Sequence, residues 1–215
     1  MRAPVVRANF FLRAAWPWHA YLPRMTLVTV SPPIIRRAHA GDASLVARLA
    51  ATTFADTFAA DNDPHDMAAY ASAAFGDAIQ HRELSDAGTI VFLAEQGDVA
   101  VGYAMLRRHA GPACVLDRDA IELARLYVVR SAIGSGVGAA LMQACLDEAA
   151  AQQRATIWLG VWERNVRAIA FYVRWGFADV GTHAFQLGAD RQTDRVMARP
   201  VMGRPVMGRP VVEPR

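Results

Sequence analysis

The sequence contains no lysine, so all 23 residues in its Lys and Arg total are arginine. It has only two cysteines, Cys114 and Cys145, which form no CxxC pair and no cluster with histidine. This pattern predicts neither a zinc site nor a disulfide framework. No apolar run approaches the ~20 residues that a membrane helix needs. We therefore expect no metal, no membrane association and a reducing, cytoplasmic location.

The net charge of +3 is unevenly distributed along the chain. Residues 34–198 carry 15 arginines against 19 acidic residues, whereas the two ends together carry eight arginines and one glutamate. Binding to nucleic-acid phosphates needs a basic face, so this acidic core predicts no nucleic-acid partner. An acidic core instead suits a cationic substrate, although many acidic surfaces serve only solubility.

Composition divides the chain into three segments. Residues 1–33 form an N-terminal extension that we expect to be poorly ordered, and Arg13 and Pro17 interrupt it too early for a secretory signal. Residues 34–198 have the alternating strand and helix patterns of one domain. Residues 199–215 repeat Arg-Pro-Val-Met-Gly, and a proline in every unit predicts a disordered tail.

Apolar periodicity within residues 34–198 predicts the element order β-α-α-β-β-β-α-β-α-β-β. A tight turn at Gln96-Gly97-Asp98 predicts a hairpin, and Gly176 is a suitable residue to end the last helix. The order is typical of an α/β or α+β layer fold, with helices packed on a mixed sheet.

Three alternating glycines, Gly134, Gly136 and Gly138, stand where a strand ends and a helix begins. Glycine lets the backbone approach a ligand closely, and the free N–H groups of a helix start favour an anion. The GxGxG spacing matches neither the Walker pattern nor the Rossmann fingerprint. Taken alone, the three glycines favour a plain flexible turn over a binding site.

A second pair, Asn165 and Tyr172, is separated by seven residues, or about two helical turns, so both face the same way. On their own, they favour a helix-capping asparagine and an amphipathic aromatic residue over a functional pair.

These features occur in a fixed order: Leu126-Tyr127-Val128, the glycine turn, Asn165, Phe171-Tyr172 and Gly176-Phe177. The order resembles the GNAT superfamily of N-acetyltransferases. Residues 158–194, 53–58 and 62–67 are similar to its PaiA-type branch, which includes spermidine/spermine N-acetyltransferases. The resemblance implies a mixed, mostly antiparallel central sheet of about seven strands flanked by about four helices. It also implies acetyl-CoA as co-substrate and allows a homodimer.

The resemblance also implies roles for individual residues. The pantetheine arm would pair with the backbone of Leu126, Tyr127 and Val128. The pyrophosphate would lie on a cradle formed by Gly134, Ser135, Gly136, Val137, Gly138 and Ala139. Asn165 would contact the cofactor near its reacting end, and Tyr172 would be the general acid that protonates the departing thiolate.

One position departs from the family pattern. The turn usually opens with arginine or glutamine, and here that position is Ile133. We therefore expect weaker, though not abolished, phosphate binding by the remaining backbone N–H groups. Arg130 is either a substitute for the missing side chain or an ordinary surface residue.

The reaction requires a base, because an alkylamine with a pKa near ~10.4 arrives protonated. Glu122 is the candidate, and strand alternation predicts that it lies on the same face as Leu126 and Val128. The alternative is an exposed carboxylate, or an ion-pair partner of Arg125 or Arg36. Cys145 occupies an apolar helical position, so we expect a packed thiol and direct attack in a ternary complex.

Acidic residues cluster at the break between the first two helices, which in the family borders the acceptor cleft. We expect Asp56, Asp61 and Asp63 to bind a cationic, polyamine-like primary amine, unless they only cap and solvate the loop. Two alternatives stay open. The acceptor is a protein or peptide amine or an amine antibiotic, or the domain is a non-catalytic regulatory module that binds acetyl-CoA.

Overall fold

The computed structural model describes residues 32–201. The expected disorder of the N-terminal extension and of most of the tail falls on residues outside this range. The described elements are β1 (Ile34–Arg37), α1 (Ala43–Phe58), α2 (Pro64–Ala74), α3 (Asp77–Ser85), β2 (Thr89–Gln96), β3 (Val99–Arg107), β4 (Ile121–Val128), α4 (Val137–Ala151), β5 (Thr156–Trp162), α5 (Val166–Arg174), β6 (Ala178–Leu187) and β7 (Asp190–Pro200).

The predicted fold class and strand number are confirmed, but the number of helices and the end of the last strand differ. Within residues 32–201, five α-helices flank the sheet instead of the expected number of about four, because Gly76 separates α3 from α2. Helix α3 is mostly polar, so apolar periodicity did not reveal it. Strand β7 continues to Pro200, which lies opposite Thr156, so this strand ends two residues past the predicted end of the domain pattern.

The strands form one sheet in the order β1-β2-β3-β4-β5-β7-β6. Every neighbouring pair is antiparallel except β4 and β5, which are parallel. The last strand, β7, therefore lies between β5 and β6. No helix within residues 32–201 is long and apolar enough to cross a membrane.

Helices cover both faces of the sheet and bury separate clusters. On the α4 face, Leu141 and Cys145 of α4 and Tyr172 of α5 pack against Ile121 and Leu159 of the central strands. On the opposite side, called the α1 face below, a different set of core side chains from α1, β2 and β3 is buried together: Val46, Leu49, Ala50, Val91, Leu93, Tyr103 and Met105.

Candidate active site

Strands β4 and β5 separate almost as soon as they meet. They pair only at Ile121 with Ile157 and at Glu122 with Trp158. Beyond that point, β4 keeps its β3 partner and the β5 side of its backbone is open. A wedge-shaped gap therefore opens in the middle of the sheet.

Backbone alternation identifies the groups that point into this gap. The N–H of Val129 bonds to Val101 of β3 at 2.9 Å. In an antiparallel ladder the direction of the polar groups alternates, so those of Leu126 and Val128 point away from β3. These two residues can therefore pair with an extended ligand lying in the gap.

The glycine turn stands at the wide end of the gap and begins α4. Gly134 and Gly136 have φ angles of 85° and 91°, in the left-handed region that favours glycine. The first helical hydrogen bond runs from Ala140 to Gly136 at 3.0 Å. The N–H groups of residues 137–139 therefore lack helical partners and can bind an anion. The turn thus fits a pyrophosphate through backbone groups.

In the described part of the chain, no contact directs the side chain of Ile133 or Arg130 toward the glycine turn. Ile133 is 42% exposed and apolar. The guanidinium of Arg130 donates to the carbonyl of Asp56 at 3.1 Å and lies 3.9 Å from its carboxylate. Arg130 therefore links the end of α1 to the segment after β4.

Tyr172 projects from α5 onto the α4 face, beside the cysteine of α4 and Phe177. Burial raises its pKa above the usual value of a tyrosine, so its hydroxyl stays protonated at neutral pH. Asn165 caps α5, because its side-chain oxygen accepts the N–H of Ala168 at 3.1 Å. Its amide N–H₂ group remains available as a donor.

The prediction that Glu122 shares a face with Leu126 and Val128 is wrong. Met105 of β3 lies opposite Arg125, and the next residue lies opposite Leu123, so Ala124 is an extra residue in β4. Such a bulge reverses the alternation of side chains. Leu126 and Val128 join Ile121 and Leu123 on the α4 face, and Glu122 faces the α1 side.

Glu122 also lacks the arginine partners considered from the sequence. Its carboxylate lies 2.7 Å from Nε2 of His109, in the loop after β3. Arg125 instead pairs with Glu83, and Arg36 pairs with Asp42 and Glu95. The bulge therefore places Glu122, the candidate base, and Tyr172 on opposite faces of the sheet.

The acidic residues between α1 and α2 have different surroundings. Asp63 caps α2 by accepting the N–H groups of His65 and Asp66. Asp56 is exposed and borders Arg130. Asp61 lines a pocket of about 140 Å³ together with Trp162, Glu163, Arg164, Asp190, Arg191, Gln192 and Thr193. Of the three predicted acceptor-binding residues, Asp61 lines this pocket, and Asp56 and Asp63 do not.

Several side chains on the α1 face were not found from the sequence. Phe58 spans the gap, with ring centroids 6.5 Å from Tyr127 and 6.0 Å from Trp162. His183 and Asp194 lie beside β5, with Nε2 and Oδ2 separated by 3.7 Å. The sequence placed these residues in segments similar to the PaiA-type branch without giving them a role, and Gly160 is an exposed residue inside an otherwise buried strand.

Other reactive groups have no visible role. Cys145 is fully buried, and burial raises the pKa of its thiol well above the usual value. A thiol in this state is a poor nucleophile. Within residues 32–201, no group of three or more His, Cys, Asp or Glu side chains could hold a metal ion.

Residues 51–177 match the acetyltransferase (GNAT) family. An uncharacterized N-acetyltransferase of Mycobacterium tuberculosis is 37% identical over 158 residues, covering 74% of this chain and 97% of the relative. Another, from Lactobacillus delbrueckii subsp. lactis, is 34% identical over 148 residues, covering 68% of this chain and 85% of the relative.

Solved structures share the fold. A PaiA N-acetyltransferase from Thermoplasma acidophilum in complex with coenzyme A superposes with a TM-score of 0.65 at 16% identity, covering 78% of this chain and 98% of that one. The acetyltransferase yncA of Salmonella typhimurium, with acetyl-CoA, gives 0.56 at 21% identity, covering 81% and 97%. The chain belongs to the GNAT family and is an acetyl-CoA-dependent N-acetyltransferase.

Proposed function

We propose that this enzyme transfers the acetyl group of acetyl-CoA to a primary amine of a small cationic, polyamine-like acceptor. The observation that carries the proposal is the pocket beside the end of β5. Its lining includes three carboxylates, from Asp61, Glu163 and Asp190, against two guanidiniums. Its volume of about 140 Å³ suits a narrow chain better than a folded protein segment.

The gap and the turn support the following cofactor contacts. The backbone of Leu126 and Val128 holds the pantetheine arm in the gap, with Tyr127 between them. The pyrophosphate is bound by the turn from Gly134 to Ala139, through the N–H groups that α4 leaves without partners. The free amide N–H₂ of Asn165 contacts the cofactor near its reacting end.

Acetyl transfer proceeds by direct attack of the amine nitrogen on the thioester carbonyl in a ternary complex. Glu122 accepts the proton of the incoming ammonium, directly or through water, from the α1 face. The N–H of Val128, which points into the gap, stabilises the developing oxyanion. As the new C–N bond forms and the C–S bond breaks, Tyr172 donates its proton to the leaving thiolate. The nitrogen releases its second proton to water, and water reprotonates Tyr172.

Two features of the structure support these roles of the residues in acetyl transfer. The acceptor face carries the carboxylates, whereas the cofactor face carries Tyr172 and the start of α4. The buried Cys145 offers no alternative nucleophile for a covalent route. Two free thiols, one of them half-buried, support a reducing cytoplasmic location.

The decisive assay measures acetyl-CoA-dependent thiol release with spermidine, spermine, monoalkylamines, amino acids, an aminoglycoside and N-terminal peptides. Release with the alkyl polyamines at the lowest KM supports the proposal. Release only with peptides or only with the aminoglycoside contradicts it, and assigns the acceptor to the corresponding class.

A further inference from the structure

His109 lies between the carboxylate of Glu122 and a buried indole ring. Its Nε2 atom is 2.7 Å from Oε2 of Glu122, and its ring meets that of Trp158 edge to face, with centroids 5.6 Å apart. Trp158 is 2% exposed, so it is a fixed surface for the imidazole. Glu122 and Trp158 are themselves paired across β4 and β5. The imidazole is therefore held at the apex of the gap by contacts to both strands.

The arginine that lies opposite Glu122 bonds elsewhere. Arg107 of β3 and Glu122 of β4 are direct partners in the register, so their side chains share a face of the sheet. The guanidinium of Arg107 nevertheless pairs with Glu83 of α3. Within residues 32–201, the hydrogen bond that Glu122 accepts at its carboxylate comes from His109.

This contact determines which atoms are free to react. An ionised carboxylate has only acceptors, so Nε2 of His109 carries the proton of the hydrogen bond, whether the ring is neutral or an imidazolium. The side chain of Glu122 is only 18% exposed, so water screens this charge-assisted bond weakly. The bond occupies Oε2 and leaves Oε1 to accept a proton from another group.

We propose that His109 is the positioning residue of the base: it fixes the Glu122 carboxylate so that Oε1 takes the proton of the incoming ammonium. The inference rests on the role of Glu122 in the function proposed above. In this step an N–H bond of the ammonium breaks and an O–H bond forms at Oε1. His109 keeps its Nε2 proton throughout, and Glu122 returns the acquired proton to water after acetyl transfer.

Packing and hydrogen bonding can be separated at this position. Phenylalanine keeps an aromatic ring against Trp158 but donates no hydrogen bond. Glutamine lacks the ring, but its amide nitrogen is a donor and lies the same number of bonds from Cα as Nε2 of histidine. A residue that only anchors the loop after β3 should tolerate phenylalanine better than glutamine, whereas a positioning residue should show the reverse order.

The test measures kcat/KM for alkylamines in wild type, His109→Phe and His109→Gln, together with the Kd for CoA. We expect His109→Phe to lower kcat/KM about 10-fold near pH 7, the size of one charge-assisted hydrogen bond. His109→Gln should stay within about threefold of wild type, because a donor remains. His81→Phe makes the same change at an exposed residue of α3 and should match wild type. The Kd for CoA should be unchanged in every variant.

Two further measurements show whether His109 acts through the base. Fluorinated alkylamines are weaker bases than alkylamines, so more of each is already neutral and the loss in His109→Phe should shrink with them. In the Glu122→Gln background, His109→Phe should cause no further loss, because the carboxylate that it positions is gone. A merely structural role would change neither comparison.

Several results would overturn the inference. A wild-type rate in His109→Phe, or equal losses with strong and weak bases, would limit His109 to packing. A further loss in the Glu122→Gln background would give it a role independent of the base. A wild type that acetylates peptides but no alkylamine would overturn the proposed acceptor alone, and the same double-mutant cycle is then measured with the peptide. Full activity of Glu122→Gln would remove both the base and its positioning residue.

Discussion

Glu122 lies opposite Trp158 in the last residue pair that joins β4 to β5. The candidate base therefore stands at the apex of the gap, where the two strands begin to diverge. The bulge at Ala124 turns its side chain to the α1 face, away from Tyr172. A proton can thus leave on one side of the sheet while another is delivered from the opposite side.

Glu122→Gln should lower kcat/KM by about 10²-fold near pH 7, because a positioned base contributes roughly that much. The loss should shrink as the pH approaches the amine pKa of ~10.4, since more of the acceptor is then already neutral. Initial rates from pH 6 to 10 measure this. Asp119→Asn, an exposed carboxylate nearby, should behave like wild type. A parallel pH profile for Glu122→Gln would exclude the role.

Tyr172→Phe should reduce kcat by about 10-fold or more, while the Kd for CoA changes little. The phenyl ring fills the same space against Phe177, so only the proton donor is lost. Rates with acetyl-CoA and calorimetric titration with CoA separate the two quantities. A wild-type kcat would show that Tyr172 is not the acid.

Ile133→Arg should tighten CoA binding by about 10-fold, because it adds a charge-assisted contact next to the turn. Ile133 is 42% exposed, so the substitution should not disturb the core. The gain should decrease as salt increases. Val99→Arg adds the same charge at an exposed strand position elsewhere and should leave the Kd unchanged.

Gly136→Ala and Gly138→Ala should have opposite effects on stability. Gly136 has a φ of 91°, so a side chain there costs about 1–2 kcal/mol and distorts the turn. A Cβ on Gly138 would make ordinary contacts, at 3.8 Å from Val128 and 3.9 Å from Phe171. Inside α4 it should be neutral or stabilise by up to about 1 kcal/mol. Denaturant unfolding and CoA titration measure both effects.

Asp194→Asn should stabilise the protein near neutral pH. The folded-state pKa of about 6 exceeds the ordinary value of 3.8, so the folded state binds the proton more tightly. The free energy of unfolding of the wild type therefore falls as pH rises from about 4 to 6. Above pH 6, the ionised Asp194 carboxylate destabilises the folded state by up to about 3 kcal/mol. The difference in unfolding free energy between variant and wild type should be largest above pH 6 and vanish near pH 4.

Local rules predicted most of the elements, including the turn and the helix of the proposed cofactor site. The turn from Gly134 to Gly138 and the helix that follows it are consecutive in sequence, so glycine spacing and helix capping identify them. Residue order alone also placed Asn165 and Tyr172 around α5. Helix α3 was missed because its binding to the sheet depends on Glu83 pairing with Arg125, a contact between distant residues.

The acceptor side required information that local rules do not contain. The two-residue alternation of side chains along a strand predicted the wrong face of the sheet for Glu122, because the extra residue at Ala124 is visible only in the pairing with β3. His183 and Asp194 meet because of the β6–β7 register, and they reach β5 only because Gly160 lacks a side chain. Each of these depends on which residues become neighbours after folding.

The position of β7 between β5 and β6 has a consequence for synthesis on the ribosome. Strand β6 is made first, yet it reaches the rest of the sheet only through β7. A nascent chain can complete β1 to β4 and α4 while the outer edge of β5 is still bare and open to wrong pairing. Strands β1 to β4 can therefore pair early, whereas β5 gains its β7 partner only after Pro200 has emerged.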